Sequence, residues 1–236
     1  MTFKRIDAPS IKELFLSQME ELILSGKLKP GDRLPPEREL ADTMGISKTI
    51  VHEGIRELAR MGFLDVVSRQ GVYVADYTST GNLDTLFAII RYRGSMPDTK
   101  MLVSLLETRL YLECPAITQL AKWRNPAHIR ELELLQEEVR LALSADIGTF
   151  ATALFAYRKT IVSLTGNCIS PLIMNAFFTA SIAAWANYCE YIGRQRTYEV
   201  LVQTTAYIQS GDSQSAIHLF TECIENYKSY LLSSPS

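Results

Sequence analysis

Ser47, Lys48, Thr49 and His52 fall within one short run just behind Gly45, and each carries a hydrogen-bonding side chain. A helix that opens with such a turn can present donors and acceptors to base edges in the major groove of duplex DNA, because only the N-terminal end of a recognition helix reaches the bases. Arg38 upstream, and Arg69 and Gln70 downstream, are placed to hold phosphates or to reach the neighbouring minor groove. Taken singly, Lys48, Thr49 and His52 also fit an ordinary solvated helix face. The reading therefore depends on the elements that carry them.

Residues 10–25, SIKELFLSQMEELILS, put Ile11, Leu14, Phe15, Met19, Leu22 and Ile23 on one helical stripe, with Ser10 positioned as its cap. Gly26 stops this helix, and Pro30-Gly31 marks a tight turn in the connection that follows. Pro36 suits the first position of a second helix whose opening, ERELADTM, is acidic. Gly45 ends it, and Ser47 caps a third helix that reaches Met61 with Val51, Ile55, Leu58 and Ala59 facing inward. Two short helices across a Gly-containing turn make a helix-turn-helix. Beyond Gly62 the period changes to FLDVV and VYVADY around SRQG, which predicts a β-hairpin, the wing.

The chain has 236 residues, 47% of them hydrophobic and 21% charged, which suits two compact domains. Its net charge is −2, and the first 77 residues carry eleven Lys plus Arg against twelve Asp plus Glu. A basic surface for nucleic acid must therefore be local. No apolar run reaches the length of a membrane span, and the opening MTFKRIDAPS lacks the apolar stretch of a secretory signal, so a cytoplasmic protein is expected. Cys114, Cys168, Cys189 and Cys223 form no CxxC pair and read as reduced core thiols. There is no Ser/His/Asp or Cys/His constellation, no phosphate-cradling Gly loop and no paired carboxylate site, so no catalytic residues and no cofactor are assigned.

The polar segment TSTGN at 78–82 reads as a linker, giving a first domain of 1–77 and a second of 83–236. In the second, helical periodicity covers about 83–94, 98–123, 126–144, 147–165, 169–192, 195–210 and 213–232. The expected fold is mainly α, with an antiparallel bundle of about seven helices and an interior cavity behind the winged domain. The stretch NAFFTASIAAWANYCEY, holding Phe177, Phe178, Trp185, Asn187, Tyr188 and Tyr191, fits either plain core or a ligand cage in which Asn187 and Tyr188 supply polar contacts.

The run SGKLKPGDRLPPERELADTMGISKTIVHEGIRELARMGFLDVVSRQGVYVAD resembles, nearly position for position, the N-terminal domain of the GntR family of bacterial regulators. The resemblance implies DNA contacts by Arg38, Ser47, Lys48, Thr49, Gln70 and Gly71, with His52 on the same face. Many members of the family have arginine where this chain has Lys48 and His52, and lysine lacks the bidentate fork that grips guanine, so the operator sequence is left open.

Domain order, LLETRLYLECPAITQLA, SLTGN and the SGD turn resemble the FadR subfamily, whose second domain is an all-helical effector-binding bundle. Many such domains hold a metal through an aspartate and three histidines. Anchored on SLTGN and SGD, those positions correspond to Leu154, Arg158, Leu201 and Cys223, none of which keeps its ligand. His128 and His218 have no partners at ligand spacing, so no metal is predicted. The same resemblance puts Arg109 on the cavity and a fixed positive charge at Arg158. Both either await an anion, an organic acid or an acyl-CoA, or pair with Glu107, Glu113 or Glu190.

The resulting expectation is a sequence-specific transcription regulator, acting as a homodimer on a palindromic operator, with affinity set by a small acidic effector. A metal-free bundle enzyme and a protein-binding winged helix are the alternatives.

Overall fold

A computed structural model describes residues 9–93 and 98–233. The chain divides into two units at residue 94.

The first unit begins with α1 (Ile11–Leu24), closed at its start by a reciprocal cap. The Glu13 amide donates to the Ser10 hydroxyl at 3.2 Å and the Ser10 amide to the Glu13 carboxylate at 2.7 Å. Phe15, Met19 and Ile23, spaced i, i+4, i+8, form the buried stripe. Ile11 and Leu14 stay more than half exposed, so the stripe is narrower than the sequence periodicity implies.

Next come α2 (Glu37–Met44) and α3 (Lys48–Arg60). Gly45 turns the chain between them in the left-handed region at φ 65°, where a Cβ would be strained. Val51, Ile55 and Leu58 of α3 pack into the core beside α1, and the Phe15 ring lies directly on the backbone of Gly54. β1 (Leu64–Val67) and β2 (Gly71–Val74) pair antiparallel from Leu64 opposite Val74 to Val67 opposite Gly71. The segment before α2 joins this hairpin: Leu34 donates its amide to Val72 and Gly31 to Val74, at 2.9 and 2.8 Å.

The linker expected at 78–82, and the domain boundary it set, differ from what is observed. Tyr77–Thr80 forms a single helical turn, α4, capped by Asp76, and α5 (Leu83–Arg93) folds onto the first unit. The Asn82 side-chain Nδ2 donates to the Arg60 carbonyl at 2.9 Å, the Thr85 hydroxyl to the Met61 carbonyl, and Ala88 is fully buried in the same core. Arg60 pairs with Asp84, and Arg91 with the buried Glu20 at 3.2 Å. A polar TSTGN signals a chain reversal, and a reversal followed by re-docking is indistinguishable from a linker at the level of residue types.

The second unit comprises α6 (Thr99–Trp123), α7 (Pro126–Leu141) with a 3-10 turn to Ser144, α8 (Ile147–Ser163), α9 (Ser170–Ala176), α10 (Phe178–Ile192), α11 (Arg194–Ser210) and α12 (Ser213–Ser233). Seven α-helices are thus present among its described residues, but not the seven expected. The 83–93 helix belongs to the first unit, and the single helix expected at 169–192 is two, broken at Phe177 (φ −98°, ψ 13°). NAFFTAS contains neither Gly nor Pro, so nothing local marks that break.

Short connections make α7–α8 and α11–α12 antiparallel neighbours, and α6 lies against α8, α11 and α12. Leu106, Ile117, Leu120, Leu132, Phe150, Leu154, Ile161, Leu201 and Phe220 form the centre of a single core. No described helix is long and apolar enough to cross a membrane.

Candidate functional site

In the first unit α3 is sharply two-sided. Val51, Gly54, Ile55 and Leu58 are buried, whereas Ser47, Lys48, Thr49 and His52 are exposed, as are Arg38, Arg69 and Gln70. The Ser47 hydroxyl accepts the Ile50 amide at 3.3 Å, so its first task is capping. Lys48 and Thr49 occupy the opening turn with their side chains in solvent.

His52 lies on this exposed face, and its Nδ1 is 2.8 Å from Glu37 Oε1 at the start of α2, next to Arg38. At the wing tip, Arg69 takes φ 63°, and the Gln70 amide donates to the Val67 carbonyl at 3.0 Å, closing the turn. Gly71 has φ 125° and the Arg33 guanidinium rests against it: a Cβ there would stand 2.9 Å from Arg33 Nε. Arg33 is thus a cation of the wing that the sequence did not single out. Its only signal was its place in GDRLPP, ahead of α2 in the chain and remote from the hairpin.

In the second unit, the structure selects Glu113 from the three carboxylates weighed as arginine partners. Glu107 and Glu190 are exposed, and Glu107 pairs with Lys228 at 3.1 Å. Arg109 donates Nε–H to Glu113 Oε1 at 2.7 Å, and Arg158 Nη1 stands 3.7 Å from Glu113 Oε2, an ion pair beyond hydrogen-bonding reach. All three residues are buried. The guanidinium carbon of Arg109 lies 4.4 Å from the Trp185 ring centroid and that of Arg158 4.7 Å from Phe220, so both cations are also held by aromatic faces. Burial pulls the Arg109 pKa below its ordinary value; the Glu113 carboxylate opposes this and the Arg158 charge adds to it.

Arg109, Arg158 and Trp185 line a cavity with Leu106, Leu154, Tyr188, Val200, Phe220 and Cys223 among its walls, and Glu113 stands behind the two arginines. Among the described residues, four buried polar atoms of this cluster find no hydrogen-bond partner: Arg109 Nη2, Arg158 Nε, Arg158 Nη1 and Glu113 Oε2. Tyr188 is on the wall, its phenol pKa raised by burial and by the adjacent Cys223 thiol. Asn187 is not: its Oδ1 accepts the Tyr227 hydroxyl at 2.9 Å, and it lies outside the lining. On the helix it is one step round from Tyr188, so the two side chains leave in different directions.

The positions where related domains place metal ligands do not fit a divalent cation. Leu154 and Leu201 offer no donor, Arg158 brings a like charge, and only the Cys223 thiol could coordinate. Of the four cysteines expected in the core only Cys189 is fully buried, and Cys168 is exposed.

Two family models match the chain: "Bacterial regulatory proteins, gntR family" over residues 16–74 and "FCD domain" over residues 104–226. The uncharacterized HTH-type transcriptional regulator Rv0494 of Mycobacterium tuberculosis (strain ATCC 25618 / H37Rv) is 31% identical over 169 residues, 69% of this chain and 68% of that protein. HTH-type transcriptional regulator Mce2R of Mycobacterium tuberculosis (strain CDC 1551 / Oshkosh) is 29% identical over 181 residues, 76% and 74% of the two chains. Among solved structures, that of Lar, which controls expression of the Listeria monocytogenes agr system, superposes with a TM-score of 0.61 at 16% identity, covering 98% of this chain and 100% of that one, a likeness of fold. With a helix-turn-helix and wing matched at one end and an FCD domain covering most of the helical unit, the chain belongs to the gntR family of bacterial regulatory proteins.

Proposed function

We propose that this regulator binds a palindromic operator as a homodimer and that an anionic small molecule, held between Arg109 and Arg158, sets the affinity. On the DNA side, Lys48 and Thr49 in the first turn of α3 read bases, while Arg38, Arg69 and Gln70 hold phosphates or the minor groove. Ser47 and Gly71 shape the helix start and the wing, and His52 acts through Glu37. Family membership and the two-sided α3, apolar inward and polar outward, support this assignment. Two recognition helices are needed for two half-sites, which is why a dimer is proposed.

The observation that carries the effector half is the set of unpartnered guanidinium nitrogens on the cavity wall. Such N–H groups cost free energy while empty and regain it when an acceptor arrives. The proposal is tested by measuring operator binding by fluorescence anisotropy at graded salt, with and without candidate organic anions. A steep salt dependence and an anion-induced change in Kd are expected; salt-insensitive binding would remove the DNA assignment. Thermal shifts from no anion at all would remove the effector assignment.

A further inference from the structure

Two small cavities both have Trp185 in their walls. Besides the one described above there is a second, walled by Leu105, Leu112, Phe155, Met174 and Phe177, and Arg109, Arg158 and Trp185 belong to both linings. The free room is about 20 Å³ in the first and about 10 Å³ in the second. That is roughly one water molecule's worth in each, so neither admits an organic acid as it stands. The Trp185 indole is the one aromatic ring common to both linings. The helix that carries it, α10, starts at the break at Phe177 without a side-chain cap, so outward movement there interrupts no continuous helix.

The charges in this region do not cancel. Among the described residues Arg109 and Arg158 face one carboxylate, Glu113, and the other polar side chains of the two linings, Thr108, Ser181, Tyr188, Thr197, Cys223 and Tyr227, carry no charge. One positive charge is left over in apolar surroundings, with three guanidinium nitrogens lacking acceptors. A ligand with a single negative charge neutralises it. A dianion would bring a surplus charge into the same apolar space, and a neutral or cationic ligand would leave the excess in place. The remaining walls are aliphatic and aromatic, so they fit an apolar body.

We infer that the effector is a monocarboxylate with an extended apolar chain, its carboxylate seated between Arg109 and Arg158 and its chain filling a single chamber opened when the Trp185 indole moves aside. This rests on the anionic-effector reading above and narrows it. An acyl thioester, with its charges on distant phosphates and none at the carbonyl, does not match this seat.

The full-length Trp123→Phe protein leaves Trp185 as the sole indole. Its fluorescence is titrated at constant ionic strength with butanoate, octanoate, octanedioate, octan-1-ol and octylamine. Octanoate is expected to saturate and to shift Trp185 emission. Each of the others should bind about tenfold more weakly or worse, the worth of one charge-assisted hydrogen bond or of several buried methylenes. Arg158→Met should lose the octanoate response by a similar factor, and Glu113→Gln, which raises the charge of the seat, should move the preference toward octanedioate. If either variant fails to melt cooperatively, the ligand series on the Trp123→Phe protein decides alone.

Tighter binding of octanedioate than octanoate overturns the monoanion assignment and leaves the anionic-effector reading standing. Octanoate binding with unchanged Trp185 emission overturns the movement of Trp185. Equal binding of octan-1-ol overturns the carboxylate seat. Silence toward the whole series overturns the inference, and a thermal shift by citrate or another small polyanion then separates that failure from failure of the broader reading.

Discussion

Nδ1 of His52, on the exposed face of α3, lies 2.8 Å from Oε1 of Glu37 at the start of α2, so the recognition helix is tied to the helix that precedes it. The bond spans the turn at Gly45 and fixes how the opening turn of α3 stands relative to Arg38. Both partners remain partly in water, 55% and 26% exposed, so their contribution to stability is small, about 1 kcal/mol or less. Their effect should appear in DNA binding instead. Glu37→Gln and His52→Ala should each weaken operator binding several-fold while moving the melting temperature little. A double-mutant cycle by anisotropy should show the two effects to be coupled; strict additivity would mean the bond positions nothing.

Lys48 and Arg38 should separate by their salt signatures. Removing a phosphate contact lowers the slope of log K against log salt by about 1 and weakens all sequences alike, whereas removing a base contact costs about 1–3 kcal/mol at one operator position. Arg38→Ala is expected to behave in the first way and Lys48→Ala in the second. Competition with point-substituted operators would reveal the reverse pattern if the assignments are exchanged.

Gly54 has no room for a side chain, because the Phe15 ring occupies the place a Cβ would take. Gly54→Ala must push α1 away from α3, and overpacking of this kind costs roughly 1–3 kcal/mol. The two units have separate cores, so calorimetry should show the loss in the first unit's transition. Phe15→Leu in the Gly54→Ala background should restore part of it.

The buried arginine pair predicts opposite stability effects for its members. Glu113→Gln removes the carboxylate that faces two guanidinium groups and should destabilise the second unit by about 3–5 kcal/mol. Arg158→Met deletes the excess charge and keeps the volume, so it should be neutral or raise the melting temperature while the protein loses its anion response. A lower melting temperature for Arg158→Met in the absence of ligand would mean the second guanidinium is structural.

Thiol labelling should be graded by burial. Cys189, packed against Thr197, has its pKa pushed up to about 11 by burial, and Cys114 is also raised. Thiolate is the reactive form, so at pH 8 Cys189 should stay unlabelled in the folded protein while the exposed Cys168 reacts at once. Equal rates at the two would contradict the packing of α10 on α11.

What the sequence determined by itself was mostly local. Ser10, Gly45, Ser47 and Gly62 mark helix and turn boundaries through hydrogen bonds and dihedral preferences that act within a few residues, and the change of period after Gly62 identifies the wing. These are visible in a string of residue types because the causes are short-range. The long matching run through LPPEREL and SKTIVHEG gave the family for a related reason: a helix-turn-helix is a compact set of such local constraints.

Tertiary structure decided everything that depends on which surfaces meet. It put α5 on the first unit, because Ala88 and Thr85 find partners around Met61 and Arg60 that no linear signal announces. It broke 169–192 at Phe177, paired His52 with Glu37, turned Asn187 out of the cavity, and chose Glu113 over Glu107 and Glu190. Each is a contact between positions that the chain brings together only by folding. For a charge the outcome matters most, since the same arginine is a solvated surface group in water and an unbalanced cation in search of an anion once buried.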